Sequence, residues 1–513
     1  MVVASRLQIV SPPDRLVATS ARTLVAGGAA GSFGQVLGPA LSVFWRGILT
    51  RHLGPAVFGV WALGYSIVTM VSALITGGLS ASVSKHIAEL RRRERRGWEP
   101  ATATASLLLG ASAGLVAGVL VVALAGPIGR AYHLADLTMV LIILSFMILP
   151  TSILSVLVYI CVGYKDLVAR PLFLDLGVNV ARLVCLWSLA DGGITLVTSS
   201  VAFVIASLLT ALIAAVYLWR THAPRLDYHN LRRQVVSVGA FGLPICGAGV
   251  LDMIMSATPT LMLGYLANSA LVSQYDVSST LARAALVPYW GITVLFLPQV
   301  TELVACGNKE VVSRIYALAT RWALLGGLLG SAIFFGCSGE LLALVFGRPF
   351  ASASAVFRIN LVGNLLLVTL GPSSAVLIAT NRAYLILRAN LGGCILNITL
   401  NAIMIPAWGA AGAALATAIS QGAVGVYLLY AASDYVDTKP LLTTGAAAWG
   451  IMLTGVSVAG AIGGAFVPVW VAYAIAAFIS CAVAFVIVRA REDDIVVKAA
   501  LRIMNRMIGL RGD

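Results

Sequence analysis

Residues 105–125 read ASLLLGASAGLVAGVLVVALA, twenty-one residues without a charge. About 20 apolar residues in a helix cross a hydrocarbon core about 30 Å thick, so this stretch predicts a membrane span. The same reading extends outward to 137–163 and 194–219, and then along nearly the whole chain. Of the 513 residues, 60% are hydrophobic and 11% charged, and the mean hydropathy is +0.96. A soluble domain carries about a quarter charged residues. No stretch remains for a separate soluble domain.

Fourteen spans are predicted, at 24–49, 57–79, 102–125, 137–163, 168–190, 194–219, 235–266, 271–300, 314–338, 352–379, 386–406, 411–432, 441–465 and 467–489. The fold class expected is all-α integral membrane. Lys and Arg set the orientation because cytoplasmic loops carry their excess. With the N-terminus inside, one face collects Arg6, Arg15, Arg22, Lys85, the cluster from Arg91 to Arg96, Lys165, Arg170, Arg220, Arg225, Arg232 and Arg233. It also takes Lys309, Arg314, Arg382, Arg388, Lys439 and the tail from Arg489 to Arg511, against Arg51, Arg130 and Arg348 opposite. Both termini are therefore expected in the cytoplasm, at a bacterial inner membrane. The net charge of +14 is distributed over loops without interleaved aromatics, which excludes nucleic acid as the expected partner.

The longest charged loop, SKHIAELRRRERRGWEP (84–100), reads as a solvated loop end ahead of an anionic-lipid contact. The N-terminus lacks a short apolar core with a cleavage site, so no removable signal peptide is expected. The seven cysteines are scattered without a CxxC or Cys/His cluster and are expected to be unpaired packing residues, with no metal and no cofactor.

The chain looks doubled. LGPAVFGVWALGYSI (Leu53–Ile67) and LANSALVSQYDVSSTL (Leu266–Leu281), about 213 residues apart, each read as a short outer turn and a new helix with an early aromatic, Trp61 or Tyr275. The helices before those turns hold interior prolines, Pro39 in one and Pro244 and Pro259 in the other, where a missing backbone bond permits bending. A two-lobe transporter follows: N-terminus 1–23, first six-helix lobe 24–219, inter-lobe loop 220–234, second lobe 235–432, two added spans within 433–489, and a basic tail 490–513.

Three stretches carry a more specific likeness: FWRGILTRHLGPAVFGVWALGYSIVTMVSALITGGLSASVSKHIAE (Phe44–Glu89), FGLPICGAGVLDMIMSATPTLMLGYLANSALVSQYDVSSTLAR (Phe241–Arg283) and RAYLILRANLGGCILNITLNAIMIPAWGAAGAALATAISQ (Arg382–Gln421). In this order they resemble the Wzx-type polysaccharide flippases of the multidrug/oligosaccharidyl-lipid/polysaccharide exporter superfamily. The likeness covers roughly residues 20–435, with Ser273 standing where that family usually has glycine. It implies two pseudo-symmetric six-helix lobes around a central cavity that opens alternately to either side. The implied substrate is a polyprenyl-diphosphate-linked oligosaccharide, flipped outward, with H+ or Na+ as coupling ion. Polysaccharide polymerase and export machinery are candidate partners beside membrane lipids.

The residues suit that task on their own chemistry. Gly31, Gln35, Gly38, Ser42 and Arg46 recur at helical spacing on the first span; Asp175, Asn179 and Arg182 do so on the fifth. Gly242, Cys246, Gly249, Asp252 and Ser256 follow on the seventh, Asp276, Ser279, Thr280 and Arg283 on the eighth, and Asn390, Gly393, Asn397 and Asn401 on the eleventh. A charge inside a span costs about 2.5–3.5 kcal/mol on insertion scales, so it faces a cavity or a partner.

Arg283, Arg182 and Arg46 are therefore the expected diphosphate ligands, in that order of depth. Gln35, Ser42, Asn179, Asn390 and Asn397 are expected to form a polar cavity face, and Asp252 is the candidate for ion coupling. Structural alternatives stand beside these: Arg46 snorkelling to the interface, local pairs Arg182–Asp175 and Arg283–Asp276, a bridge from Asp252 to Arg283, and the asparagines as glue between helices. Gly110, Gly114 and Gly118 are read as a helix-packing face.

A polytopic glycan polymerase or ligase is the enzyme alternative. It needs an acid, base or nucleophile constellation. The five histidines lie apart in loops or at span ends, and no phosphate-binding glycine loop or large outer loop appears. No enzyme is expected. Within the superfamily the alternatives are a flippase for the lipid-linked peptidoglycan precursor, matched by the fourteen spans, and a drug/cation antiporter, which favours an anionic cavity.

Overall fold

A computed structural model describes residues 13–92, 99–189, 192–222, 231–305 and 309–437. Every regular element among them is helical. In chain order they are α1 (Pro13–Arg92), α2 (Glu99–Ala131), α3 (Ala135–Ser145), α4 (Ile148–Gly163), a π-helical turn (Pro171–Gly177), α5 (Val178–Ser188), α6 (Leu196–His222) and α7 (Leu231–Leu266). There follow α8 (Ser269–Ala284), α9 (Val287–Ala305), α10 (Lys309–Gly336), α11 (Ser338–Phe346), a 3-10 turn (Arg348–Ala353), α12 (Ser354–Thr369), α13 (Ser373–Ala379) and α14 (Ala383–Ala432). Eight described helices are long and apolar enough to cross a membrane, and the chain is a multi-pass membrane protein.

Two of the long helices are each a pair of spans. The 80-residue α1 folds back at Gly54 (φ 71°, ψ 171°), and the 50-residue α14 folds back at Gly409 (φ 54°, ψ −130°). Both conformations are sterically closed to a residue with a Cβ, which is why glycine occupies them. Pro55 directly follows the first bend, where its fixed φ suits the start of the returning helix. Counted this way, the eight helices give ten spans, and the expected spans 271–300 and 314–338 fall on α8–α9 and on α10. The spans expected at 441–465 and 467–489, and both chain termini, lie outside the described residues.

Several expected single spans are broken. Span 137–163 divides into α3 and α4 at Phe146–Met147, where Phe146 N–H and Met147 N–H donate to Ile143 and Leu144 carbonyls at 3.2 and 2.9 Å. Pro150 supplies the reason: it has no N–H for the Phe146 carbonyl, and its ring crowds that group. Span 352–379 breaks at Gly371 (φ 70°) and Pro372, and the Tyr316 hydroxyl donates to the freed Leu370 carbonyl at 2.9 Å. Span 271–300 divides into α8 and α9 before Pro288. The fifth span opens with the π-helical turn, whose Asp175 backbone oxygen lies 3.1 Å from where a Gly38 Cβ would stand. Gly34 and Gly38 on α1 therefore serve as a packing face against that turn.

Helices in lipid gain nothing from leaving it, so close packing of small residues holds them together. On α2, a Cβ at Gly110, Gly114 or Gly118 would meet Val156, Ser152 or Ser145 at 2.8, 3.0 or 3.4 Å, as the glycine spacing predicts. The opposite face of α2 exposes Leu115, Val116, Val119 and Leu120.

The two halves of the chain approach closely at Gly59, where a Cβ would stand 1.7 Å from the Ser269 carbonyl oxygen at the start of α8. Trp61 and Tyr275, the matching aromatics of the two turns, are both buried. Trp61, Trp45, Tyr65 and Phe203 form one edge-and-stack cluster with ring centroids 4.8–5.9 Å apart.

Candidate functional site

The cavity of interest lies in the second half, between α7, α8, α12 and α14, with a volume of about 190 Å³. Asp252 and Ser256, one turn apart on α7, face Ser279 and Arg283, one turn apart on α8. Both Asp252 and Arg283 expose their side chains to this space, and neither makes an ion pair within the described residues. Opposite them α12 contributes Asn360 and Asn364, and α14 contributes Thr417 and Gln421. The Tyr275 hydroxyl lies at the wall, 3.2 Å from the Thr417 hydroxyl. The cavity thus offers one guanidinium, one carboxylate and a ring of amides and hydroxyls within apolar helices.

A second group of charges lies where α1 meets α5 and α8. The Arg46 Nε donates to Asp276 Oδ2 at 2.9 Å, and both side chains are only 13% exposed. This pair decides two of the structural alternatives together. Arg46 does not snorkel to the interface, and Asp276 does not serve Arg283, which is two turns further along the same helix. Two turns of helix rise about 10 Å, whereas α1 packs directly against α8.

Arg182 does not pair with Asp175 either. Its guanidinium carbon sits 4.9 Å from the Phe203 ring centroid, 5.5 Å from Tyr65 and 5.9 Å from Trp45. Asn179 Oδ1 accepts from its Nη1 at 3.5 Å, and its buried Nε makes no hydrogen bond among the described residues. Cation–π attraction in a desolvated cage of this kind contributes about 2 kcal/mol.

The other expected cavity residues are placed as follows. Asn179 accepts from Trp45 Nε1 at 3.1 Å and donates to the Asp175 carbonyl at 2.7 Å, so it positions the aromatic cluster. The Ser42 hydroxyl donates to its own helix at Pro39, 2.7 Å away. Gln35 lies on α1, and its side chain is outside the described residues. Asn390 is buried on α14. Asn397 and Asn401 are fully buried there, Asn401 donating to the Asn397 side chain at 3.1 Å, while Asn397 Nδ2 and Asn401 Oδ1 find no partner among the described residues.

Asn360, Asn364, Thr417 and Gln421 were not singled out from the sequence. The signal was available: each pair is spaced by four residues on its helix, the same rule that marked the other polar faces.

Comparison with known proteins adds the family. The family described as polysaccharide biosynthesis protein matches residues 24–303. A probable low-salt glycan biosynthesis flippase, Agl15 of Haloferax volcanii, is 28% identical over 185 residues, 35% of this chain. The match spans only 38% of that relative's length. Among solved structures, the lipid II flippase MurJ in an inward closed conformation superposes with a TM-score of 0.71 at 13% identity, covering 90% of this chain and 98% of that one. An inward-facing multidrug resistance MATE transporter of the MOP superfamily gives 0.67 at 15% identity, covering 79% and 97%. At such identities these two likenesses establish the fold. With more than half of its length matched, the chain belongs to the polysaccharide biosynthesis protein family.

Proposed function

We propose that the protein flips a polyprenyl-diphosphate-linked oligosaccharide from the inner to the outer leaflet of the plasma membrane by alternating access, with both termini in the cytoplasm. The observation that carries this reading is Arg283, a guanidinium without an ion-pair partner among the described residues, set in a polar cavity between α7, α8, α12 and α14. A diphosphate satisfies such a cation with charge-assisted, often bidentate bonds. The amides of Asn364 and Gln421 suit a glycan. Arg46 and Arg182 rank below Arg283 as ligands, because one is engaged by Asp276 and the other by aromatic faces.

Alternating access requires the halves to part near Gly54, and the Arg46–Asp276 pair crosses between them there. Breaking it is then part of opening, and the released Arg46 becomes available to the passing diphosphate. Asp252, across the cavity from Arg283, is the coupling group. When the diphosphate occupies Arg283, the nearby carboxylate is repelled, and a proton or Na+ taken up at Asp252 relieves that repulsion. Polymerase and export machinery receive the product on the far side. The chain itself performs no covalent step.

The test is export of lipid-linked glycan in cells and in inverted vesicles. Arg283→Ala abolishes export at normal abundance and Arg283→Lys retains a part. Asp252→Asn slows turnover and removes its dependence on the ion gradient while substrate binding persists. Full export by correctly inserted Arg283→Ala overturns the diphosphate assignment, and wild-type rate with intact gradient dependence in Asp252→Asn removes Asp252. Rescue of peptidoglycan synthesis in place of glycan export reassigns the lipid-linked substrate.

A further inference from the structure

At the Arg-rich end of the first half, three residues far apart in sequence converge. Helix α4 ends in a Schellman turn: Asp166 N–H donates to the Cys161 carbonyl at 3.0 Å and Lys165 N–H to Val162 at 2.9 Å, with Lys165 at φ 67°. That turn folds Asp166 back beside Cys161. The last residue of α6, His222, reaches the same spot, where its ring stacks on Tyr164 with centroids 4.8 Å apart. The Cys161 sulfur, an Asp166 carboxylate oxygen and a His222 ring nitrogen all lie within 4.8 Å of one another.

Two details set this group apart from an ordinary ion pair. The His222 Nε2 is buried and makes no hydrogen bond among the described residues; it stands 3.6 Å from Asp166 Oδ2, too far for a direct bond. In a tetrahedral Zn(II) site with bonds of about 2.0–2.3 Å, neighbouring ligand atoms are about 3.3–3.6 Å apart. The His222–Asp166 separation already matches that edge, and Cys161 completes the face with a closing movement of about 1 Å. Cys161 is 2% exposed and not in a disulfide. The Tyr217 hydroxyl donates to Asp166 Oδ2 at 2.8 Å, the outer hydrogen bond that holds a carboxylate ligand in place.

We propose that Cys161, Asp166 and His222 form a Zn(II) site that fastens the end of α4 to the end of α6, with water in the fourth position. A thiolate, an imidazole and a single carboxylate select a borderline transition-metal ion over Mg(II) or Ca(II), which need several oxygens. Binding takes the thiol proton off Cys161 and releases it to solvent. The sequence conceals the site because its ligands are separated by 5 and 56 positions, and only the Schellman turn and the packing of α4 on α6 unite them.

Co(II) is the probe, added to the full-length, tag-free protein in nanodiscs after chelation. The expected result is one bound equivalent with a thiolate-to-cobalt charge-transfer band, displaced by Zn(II). The band disappears in Cys161→Ser, and binding weakens at least tenfold in His222→Ala and Asp166→Asn, while Cys185→Ser and Cys394→Ser leave both unchanged. In a parallel readout, Zn(II) raises the melting temperature of the wild type and not of Cys161→Ser or His222→Ala, each compared with its own chelated sample. Absence of stoichiometric Co(II), a band that survives Cys161→Ser, or a zinc effect equal in wild type and variants overturns the site.

Discussion

Substituting Asp276 by Asn keeps the shape of the side chain and removes its charge, which isolates what the Arg46–Asp276 pair contributes to keeping the two halves closed near Gly54. Charge centres about 4 Å apart attract by about 4 kcal/mol at an effective dielectric constant of 20. Desolvation of two groups that are each only 13% exposed takes back a large share. The remaining stabilisation is about 1.5–3 kcal/mol, the range for hydrogen bonds to charged groups. At about 1.4 kcal/mol per factor of ten, the ratio of closed to open protein falls roughly 10- to 150-fold.

Spin labels on Ala56 and Ala267, both exposed and each at the turn of its half, report this directly. In a background without other reactive cysteines, the wild type gives one short distance and Asp276→Asn adds a longer population. Arg46→Gln has the same effect, and the exchange Arg46→Asp with Asp276→Arg restores part of the short distance. An unchanged distance distribution in Asp276→Asn, together with wild-type export, refutes the reasoning that the pair closes this end.

Gly59→Ala places a Cβ 1.7 Å from the rigid Ser269 carbonyl, so the halves must separate; a loss of about 3 kcal/mol or more is expected, read as a fall in melting temperature in detergent. Gly77→Ala, with nothing within 4 Å of the added Cβ, is the matched control and stays near wild type. Reporter fusions at 93–98 and at the C-terminus are expected to score cytoplasmic and those at Pro55 and Arg348 external, and an external C-terminus contradicts the orientation drawn from the charge asymmetry.

Hydropathy and glycine placement made most of the fold legible, because in lipid every span must satisfy its own backbone and so writes itself as a long apolar run. The bends at Gly54 and Gly409 could be located from sequence, since a turn between adjacent spans calls for glycine and proline. The breaks inside spans 137–163 and 352–379 were missed, although Pro150 and Gly371–Pro372 marked them; apolar length outweighed backbone chemistry in that reading. Charged residues within spans were likewise easy to find, because each is costly in lipid and therefore rare.

Their partners were another matter. Helical spacing groups residues along one helix and offered Arg283 as an alternative partner for Asp276, but a carboxylate pairs with the cation that packing brings within about 3 Å, here Arg46 from the other half of the chain. The same reasoning separates Arg182, caged by rings from α1 and α6, from Arg283, left facing a cavity with Asp252. The sequence by itself determined that this is a multi-span helical protein with cations inside the membrane. Which cation is spent on structure and which faces the cavity depends on contacts between helices hundreds of residues apart, and only tertiary packing decided that.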